Sequence, residues 1–163
     1  GERRDILFCP VITRGTHKEK SMSNKTILLV EDNPDDEALT LRAFKKNNIC
    51  NEVTVVRDGQ QALDYFFGEG ASKRPTPVVV LLDLKLPKIE GMEVLRRLRA
   101  DPRTRLQPVV ILTSSKEEHD ISNGYNLAVN SYIRKPVDYK QFMEVVHQLG
   151  LYWLVLNEPP VGH

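Results

Sequence analysis

Six polar side chains stand at or just past the ends of runs that read as strands in this sequence. Thr26-Ile27-Leu28-Leu29-Val30 runs into Glu31 and Asp32, Val78-Val79-Val80-Leu81-Leu82 into Asp83, and Pro108 to Leu112 into Thr113 and Ser114. Asn130 to Ile133 is followed by Arg134 and then Lys135, with Pro136 after it. Taken singly, each has an ordinary explanation, since an Asp at a strand end often begins a turn. Gathered at one edge, three carboxylates would repel one another unless a cation lay among them, and hard oxygen ligands suit Mg²⁺. With that repulsion screened, one carboxylate can act as a nucleophile toward a phosphoryl group and carry it as an aspartyl phosphate. Asp83 is the candidate nucleophile. Glu31, Asp32, Asp83 and the main-chain carbonyl of Lys85 are the candidate Mg²⁺ ligands, Lys135 would meet a phosphoryl oxygen as a point charge, and Thr113 would donate to another.

That chemistry requires one particular kind of scaffold. An unbroken run of branched apolar residues such as Val78–Leu82 is the pattern of a strand buried on both faces, as in parallel sheets covered by helices. Between the runs lie helical patterns. Asn33 and Pro34 suit a cap and a first helical position, and Ala38, Leu39, Leu41, Ala43 and Phe44 form an apolar stripe behind them. Asp35 and Asp36 then fall in the first helical turn, where the macrodipole alone accounts for acids. Val53–Val56 is a shorter strand, Ala62, Leu63, Phe66 and Phe67 mark a second helix, and Met92, Leu95 and Leu98 a third with Arg96, Arg97 and Arg99 on its outer face. Lys116 to about Asn126 is a weaker helix with Gly124 inside it and is expected to be the most mobile. A last helix is expected from Asp138 to Leu156, and a cis bond at Pro136 is expected to aim Lys135. Five strands alternating with five helices imply a doubly wound α/β fold whose right-handed crossovers bring all strand tips to one edge, where such sheets bind ligands.

The chain of 163 residues carries a formal net charge of +1, so no global electrostatic field favours nucleic acid or a membrane surface. Cys9 and Cys50 have no metal-ligand spacing, and no apolar run approaches the roughly 20 residues that span a bilayer. A cytoplasmic protein is expected. Residues 1–24 read as an upstream leader or vector-derived segment, disordered or loosely docked, with Met22 as a start. Residues 25–150 form the main domain, and 151–163 a helical extension and tail. Leu149 to Leu156 is more apolar than the end of a surface helix requires, which suits either self-association or packing back on the domain.

These motifs resemble the response-regulator receiver domains of two-component signalling. The resemblance rests on the Glu31-Asp32 pair, Asp83 within Leu82-Asp83-Leu84-Lys85-Leu86-Pro87 and ending at Gly91, Thr113-Ser114, and Tyr132 three residues before Lys135-Pro136. It covers about residues 25 to 148 and implies a flavodoxin-like parallel sheet in strand order 2-1-3-4-5. It makes Asp83 the phospho-acceptor, Glu31 and Asp32 the acidic metal pair, Thr113 and Ser114 the switch and phosphate-binding hydroxyls, Lys135 the phosphate contact and Tyr132 the switch aromatic. Lys85 and Ser115 are expected to flank the phosphoryl group and tune the access of water. The long loop Gly68 to Pro77 and the ending from Leu149 to Pro160 look like the single-domain regulators of phytochrome-type histidine kinases, which implies such a kinase as partner, a homodimer through the C-terminal helix and no output domain.

Three rivals are weighed against particular residues. A haloacid-dehalogenase-type phosphatase calls for a second Asp two positions after the nucleophile, and Lys85 stands there. A flavodoxin-like cofactor module calls for a phosphate-binding loop after the first strand, where the acids would repel it. A pseudo-receiver that binds partners without phosphorylation usually lacks part of the site, whereas every member is present here.

Overall fold

A computed structural model of the chain describes residues 4–6, 25–114, 118–135 and 138–158. In chain order the elements are β1 (Arg4–Ile6), β2 (Ile27–Val30), α1 (Pro34–Lys46), β3 (Val53–Val56), α2 (Gly59–Phe67), β4 (Val79–Leu82), α3 (Gly91–Ala100), β5 (Val109–Thr113), α4 (Glu118–Asn126), β6 (Ser131–Arg134) and α5 (Tyr139–Gly150). A π-helical segment, Leu151–Leu156, continues α5. The sheet order is β1-β3-β2-β4-β5-β6, and all pairs are parallel except β1 with β3. The five parallel strands thus stand in the expected order 2-1-3-4-5.

The sixth strand was not among the five read from the sequence. Residues 4–6, assigned to a leader expected to be disordered or loosely docked, pair antiparallel with β3, Arg4 opposite Val55 and Ile6 opposite Val53. The physical reason is the free edge of β3, whose unpaired N–H and C=O groups accept any extended segment within reach.

Side chains of the central strands alternate between two cores, as the pleat requires. Ile27, Leu29, Val79, Leu81, Val110 and Leu112 pack with Leu41 and Phe44 of α1 and Phe142 and Val146 of α5. Leu28, Val30, Val80, Leu82, Val109 and Ile111 pack on the opposite face with Ala62 and Leu63 of α2 and Val94, Leu95 and Leu98 of α3. Helices therefore cover both faces, which is why these strands read as unbroken apolar runs. Some expected core positions differ. Ala38 is exposed, and on α2 it is Tyr65 that is buried while Phe66 and Phe67 are half-buried. Tyr65 keeps its hydroxyl satisfied by donating to the Pro75 carbonyl at 2.6 Å.

Arg99 does not belong to the outer face of α3. Its guanidinium donates to the carbonyls of Leu127 at 3.0 Å, Gln107 at 2.8 Å and Ala128 at 3.0 Å, closing the turn between α4 and β6. Arg96 and Arg97 do face solvent, and both pair with Glu93. Gly124 has a packing reason: a Cβ there would lie 3.1 Å from Ile111 Cδ1 and 3.4 Å from the Tyr132 ring, so the glycine lets α4 settle close to β5 and β6.

The C-terminal segment divides its apolar residues. Trp153 and Leu154 are buried in the core shared with α1 and α5, while Leu151, Tyr152, Val155 and Leu156 are exposed. The expected single helix to Leu156 gives way to a π-helical turn at Leu151, seen in the bond from the Asn157 N–H to the Tyr152 carbonyl five residues back. That change of period turns the adjacent residues Trp153 and Leu154 inward together. No helix among the described residues is long and apolar enough to cross a membrane.

Candidate functional site

The tips of β2, β4, β5 and β6 converge because the ladder hydrogen bonds continue past the strands. The Glu31 N–H donates to the Val56 carbonyl, Asp83 N–H to Val30 and Lys135 N–H to Thr113, at 3.0, 3.1 and 2.7 Å. Each functional side chain is thus anchored by the backbone of its neighbour. The turn after Asp83 is equally constrained. The Lys85 N–H donates to Asp83 Oδ1 at 3.2 Å and the Gly91 N–H to the Leu84 carbonyl at 2.9 Å. Lys88 within it has φ +67°, and Gly91 lies so close to Asp83 that a Cβ would fall 2.2 Å from the Asp83 carbonyl oxygen.

Lys135 sits in the middle. Its Nζ lies 2.5 Å from Glu31 Oε2, 2.8 Å from Asp36 Oδ2 and 2.9 Å from Asp83 Oδ2, so all three donors of the ammonium are used. The other Asp83 oxygen accepts from Thr113 Oγ1 at 2.9 Å. Glu31, Asp83 and Thr113 are buried, at 2 %, 6 % and 0 % exposure, so these contacts act in a poorly solvated setting where they are strong. Burial pushes the Glu31 carboxyl up to about 7, and the Asp83 charge adds to the rise, while the hydrogen bond and charge of Lys135 and the Asn33 N–H oppose it. Burial of Lys135 works against its charge, but the hydrogen bonds it donates to Asp36 and Glu31 and the charges of Asp83 and Glu31 outweigh it and raise its pKa.

Four of the residues named from sequence, Glu31, Asp83, Thr113 and Lys135, meet within hydrogen-bond distance. The rest are arranged differently. Asp32, Ser114 and Lys85 are exposed at the rim. Tyr132 lies on β6 against the core beneath Gly124. Ser115 and Pro136 lie outside the described residues, so the expected roles of the one and the cis bond of the other are not placed.

Asp36 joins this cluster although the sequence accounts for it by the helix dipole alone. It occupies the first turn of α1, its N–H is capped by Asn33 Oδ1 at 3.1 Å, and one of its carboxylate oxygens lies within 4.8 Å of one from Glu31 and one from Asp83. A helix dipole is reason enough for an acid there, so nothing local distinguished it. The signal available was spacing: Asp36 is five residues past Glu31, across a capped strand-to-helix turn that brings α1 back over the strand tip. Three carboxylates converging with hard oxygen donors fit a divalent cation such as Mg²⁺ or Mn²⁺.

A doubly wound parallel sheet with an acid, a hydroxyl and a lysine assembled around a carboxylate at its central strand tip has the donors and charges that phosphoryl transfer to a carboxylate would need. The chain belongs to the response regulator receiver domain family, whose model matches residues 27–147. It is similar to the response regulator Rcp1 of Synechocystis sp. strain PCC 6803, 36% identical over 137 residues, covering 83% of this chain and 93% of Rcp1. The Mn(2+)-bound form of Rcp1 superposes with a TM-score of 0.77 over 84% of this chain and 99% of that one. The phosphorylated cyanobacterial phytochrome response regulator RcpA, 40% identical, matches with the same TM-score and the same coverage. A probable methanogenesis regulatory protein, FilR2 of Methanothrix harundinacea, is 40% identical over 134 residues, 82% of this chain and 86% of that protein. The chain is a receiver domain homologous to phytochrome-associated response regulators, a family that works by phosphorylation-dependent signalling.

Proposed function

We propose that this receiver accepts a phosphoryl group on Asp83 from a sensor histidine kinase of the phytochrome type and passes the signal through a changed protein-binding surface. The observation that carries this reading is the convergence on Asp83 of Lys135 at 2.9 Å and Thr113 at 2.9 Å, one on each carboxylate oxygen. In the transfer, an Asp83 oxygen forms a bond to phosphorus as the bond from phosphorus to the histidine nitrogen breaks. The phosphoryl oxygens then meet donors already in place: the Lys135 ammonium, the Thr113 hydroxyl and, at the rim, Ser114. Mg²⁺ held by Glu31, Asp32, Asp83 and the Lys85 carbonyl would screen the carboxylates and balance the phosphoryl charge. Lys85 and Ser115 are assigned to tuning the approach of the water that later hydrolyses the aspartyl phosphate. Tyr132 is assigned to the switch, because its ring lies on the strand that leads to Lys135 and against α4 at Gly124, where a Cβ would lie 3.4 Å from the ring.

The likeness to RcpA, a phytochrome response regulator, supports the phytochrome-type kinase as partner, and the apolar sequence of the C-terminal segment supports a homodimer that uses it. The exposed apolar residues Leu151, Tyr152, Val155 and Leu156 supply a surface for the latter. Incubation with acetyl phosphate or beryllofluoride and Mg²⁺, followed by intact mass or fluorine NMR, tests the central claim. Wild type should gain one phosphoryl group and Asp83→Asn none. Equal responses from the two proteins would refute Asp83 as the acceptor.

A further inference from the structure

We infer that Arg99 is a positioning residue that clamps the C-terminal end of α4 and the start of β6 to α3, so that the response of α4 to modification of Asp83 is confined to its other end. The confinement rests on the reading of Asp83 as phosphoacceptor and Tyr132 as switch, whereas the clamp stands on the turn alone. The Ala128 N–H donates to the Tyr125 carbonyl and the Val129 N–H to the Gly124 carbonyl, both at 3.0 Å. These are the paired bonds of a helix stop whose left-handed residue is usually glycine. Here that residue is Ala128, at φ +53°, where a side chain is strained. The stop also leaves the Leu127 and Ala128 carbonyls without helical partners.

One guanidinium answers both problems. Arg99 donates to the Leu127 and Ala128 carbonyls at 3.0 Å each, to the Gln107 carbonyl at 2.8 Å and to the Asn130 side-chain oxygen at 3.4 Å. These acceptors are uncharged and burial pushes the Arg99 pKa down, so the cation is held by its planar fork and by the negative end of the α4 dipole. The same Asn130 oxygen accepts from the Val109 N–H at 2.8 Å, and the Asn130 N–H donates to the Val109 carbonyl at 2.9 Å. The clamp therefore also fixes where β6 begins against β5. α4 passes the Tyr132 ring at Gly124, whose carbonyl belongs to the clamped turn. A displaced Tyr132 ring cannot lift this end of α4 without parting it from Arg99, and the helix yields at residues 118–123 instead.

Amide exchange and chemical shifts by NMR, with and without beryllofluoride and saturating Mg²⁺, test this on wild type, Arg99→Lys, Ala128→Gly and the double variant. Lysine keeps the charge but cannot span the carbonyls. Without beryllofluoride, Arg99→Lys should speed exchange of the Val129 and Asn130 amides about ten-fold, the worth of charge-assisted hydrogen bonds, and leave the β2 and β4 amides at wild-type rates. Ala128→Gly in that background should recover about five-fold, because glycine adopts the turn unstrained. Beryllofluoride should shift wild-type amides in residues 118–123 and leave 127–130 in place, whereas in Arg99→Lys the shifts should spread to 127–130. Wild-type exchange rates in Arg99→Lys, or an equal acceleration in β2 and β4, overturn the clamp. Shifts across 127–130 in wild type, or no spread in the variant, overturn the fixed end. Failure of wild type to bind beryllofluoride would refute the phosphoacceptor reading and the confinement with it, while the exchange rates would still decide the clamp.

Discussion

Glu31 shows at the scale of one residue what an assembled site costs the fold. Its carboxyl stands at about 7 in the native protein against an ordinary 4.5, raised chiefly by burial. Between those values the native state holds a proton that the unfolded chain releases, so this group's contribution to stability is complete below about pH 4.5 and is lost as pH rises toward 7. Lys135 is raised above its ordinary value and stays charged throughout, so it does not oppose the trend. The loss should reach about 3 kcal/mol. Urea denaturation of the protein in EDTA should give a lower midpoint at pH 8 than at pH 5, and Glu31→Gln should flatten the difference. A midpoint that climbs over that range, or an unchanged slope in the variant, would refute the assignment. Asp83, Glu31 and Thr113 were legible because each stands at the end of an apolar run whose length identifies a strand, and Lys135 because it ends the last strand of the alternation, so fold topology brings them together. Asp36 was not, because helix position already explained it and only the three-dimensional return of α1 over β2 reveals its second partner.

Elements, unlike residues, are held by close approaches that propensity does not register. Gly59 opens α2 and its N–H faces the Pro87 carbonyl at 3.4 Å, while a Cβ there would lie 1.9 Å from the carbonyl oxygen of Ile89. The α2 terminus is thus wedged against the turn that follows Asp83, and the Lys88 ammonium reaching Asp58 at 3.1 Å closes the same contact from outside. Helix propensity predicts that Gly59→Ala gains up to about 1 kcal/mol. The wedge predicts the opposite, because the clash is with backbone that cannot turn aside. Gly59→Ala should lose about 2 kcal/mol or more in denaturant titration and should slow phosphorylation of Asp83 as the turn shifts. A variant as stable as wild type would show that the turn yields freely. The same limit explains why β1 and the Arg99 contacts were not foreseen: a three-residue strand has no period to detect, and an arginine that bonds carbonyls looks in sequence like one that faces water.

The whole molecule is a sheet closed at one edge by β1 and finished at the other end of the chain by a segment that is half core and half surface. Helical periodicity could not separate the two halves, since Leu149 to Leu156 is apolar almost throughout and the π-helical turn that sorts it leaves no mark in composition. The sorting changes how association must be tested. Truncation after Gly150 would remove Trp153 and Leu154, which are 6% and 3% exposed, together with the carbonyl of Leu154 that accepts from Lys25 Nζ at 3.0 Å. A monomer produced that way would reflect a damaged core. Substitution distinguishes the roles. Trp153→Ala should lose about 3 kcal/mol or more of stability, as for a large buried aromatic. Leu156→Glu and Val155→Glu, at 63% and 43% exposure, should leave the midpoint of unfolding within about 0.5 kcal/mol of wild type. If this face joins two copies, as the apolar residues argue, both Glu variants should shift sedimentation velocity toward monomer while keeping the capacity to phosphorylate Asp83. Dimers that survive in both variants would place the interface elsewhere, and a loss of stability in Leu156→Glu would mean that the exposed half of the segment also belongs to the core.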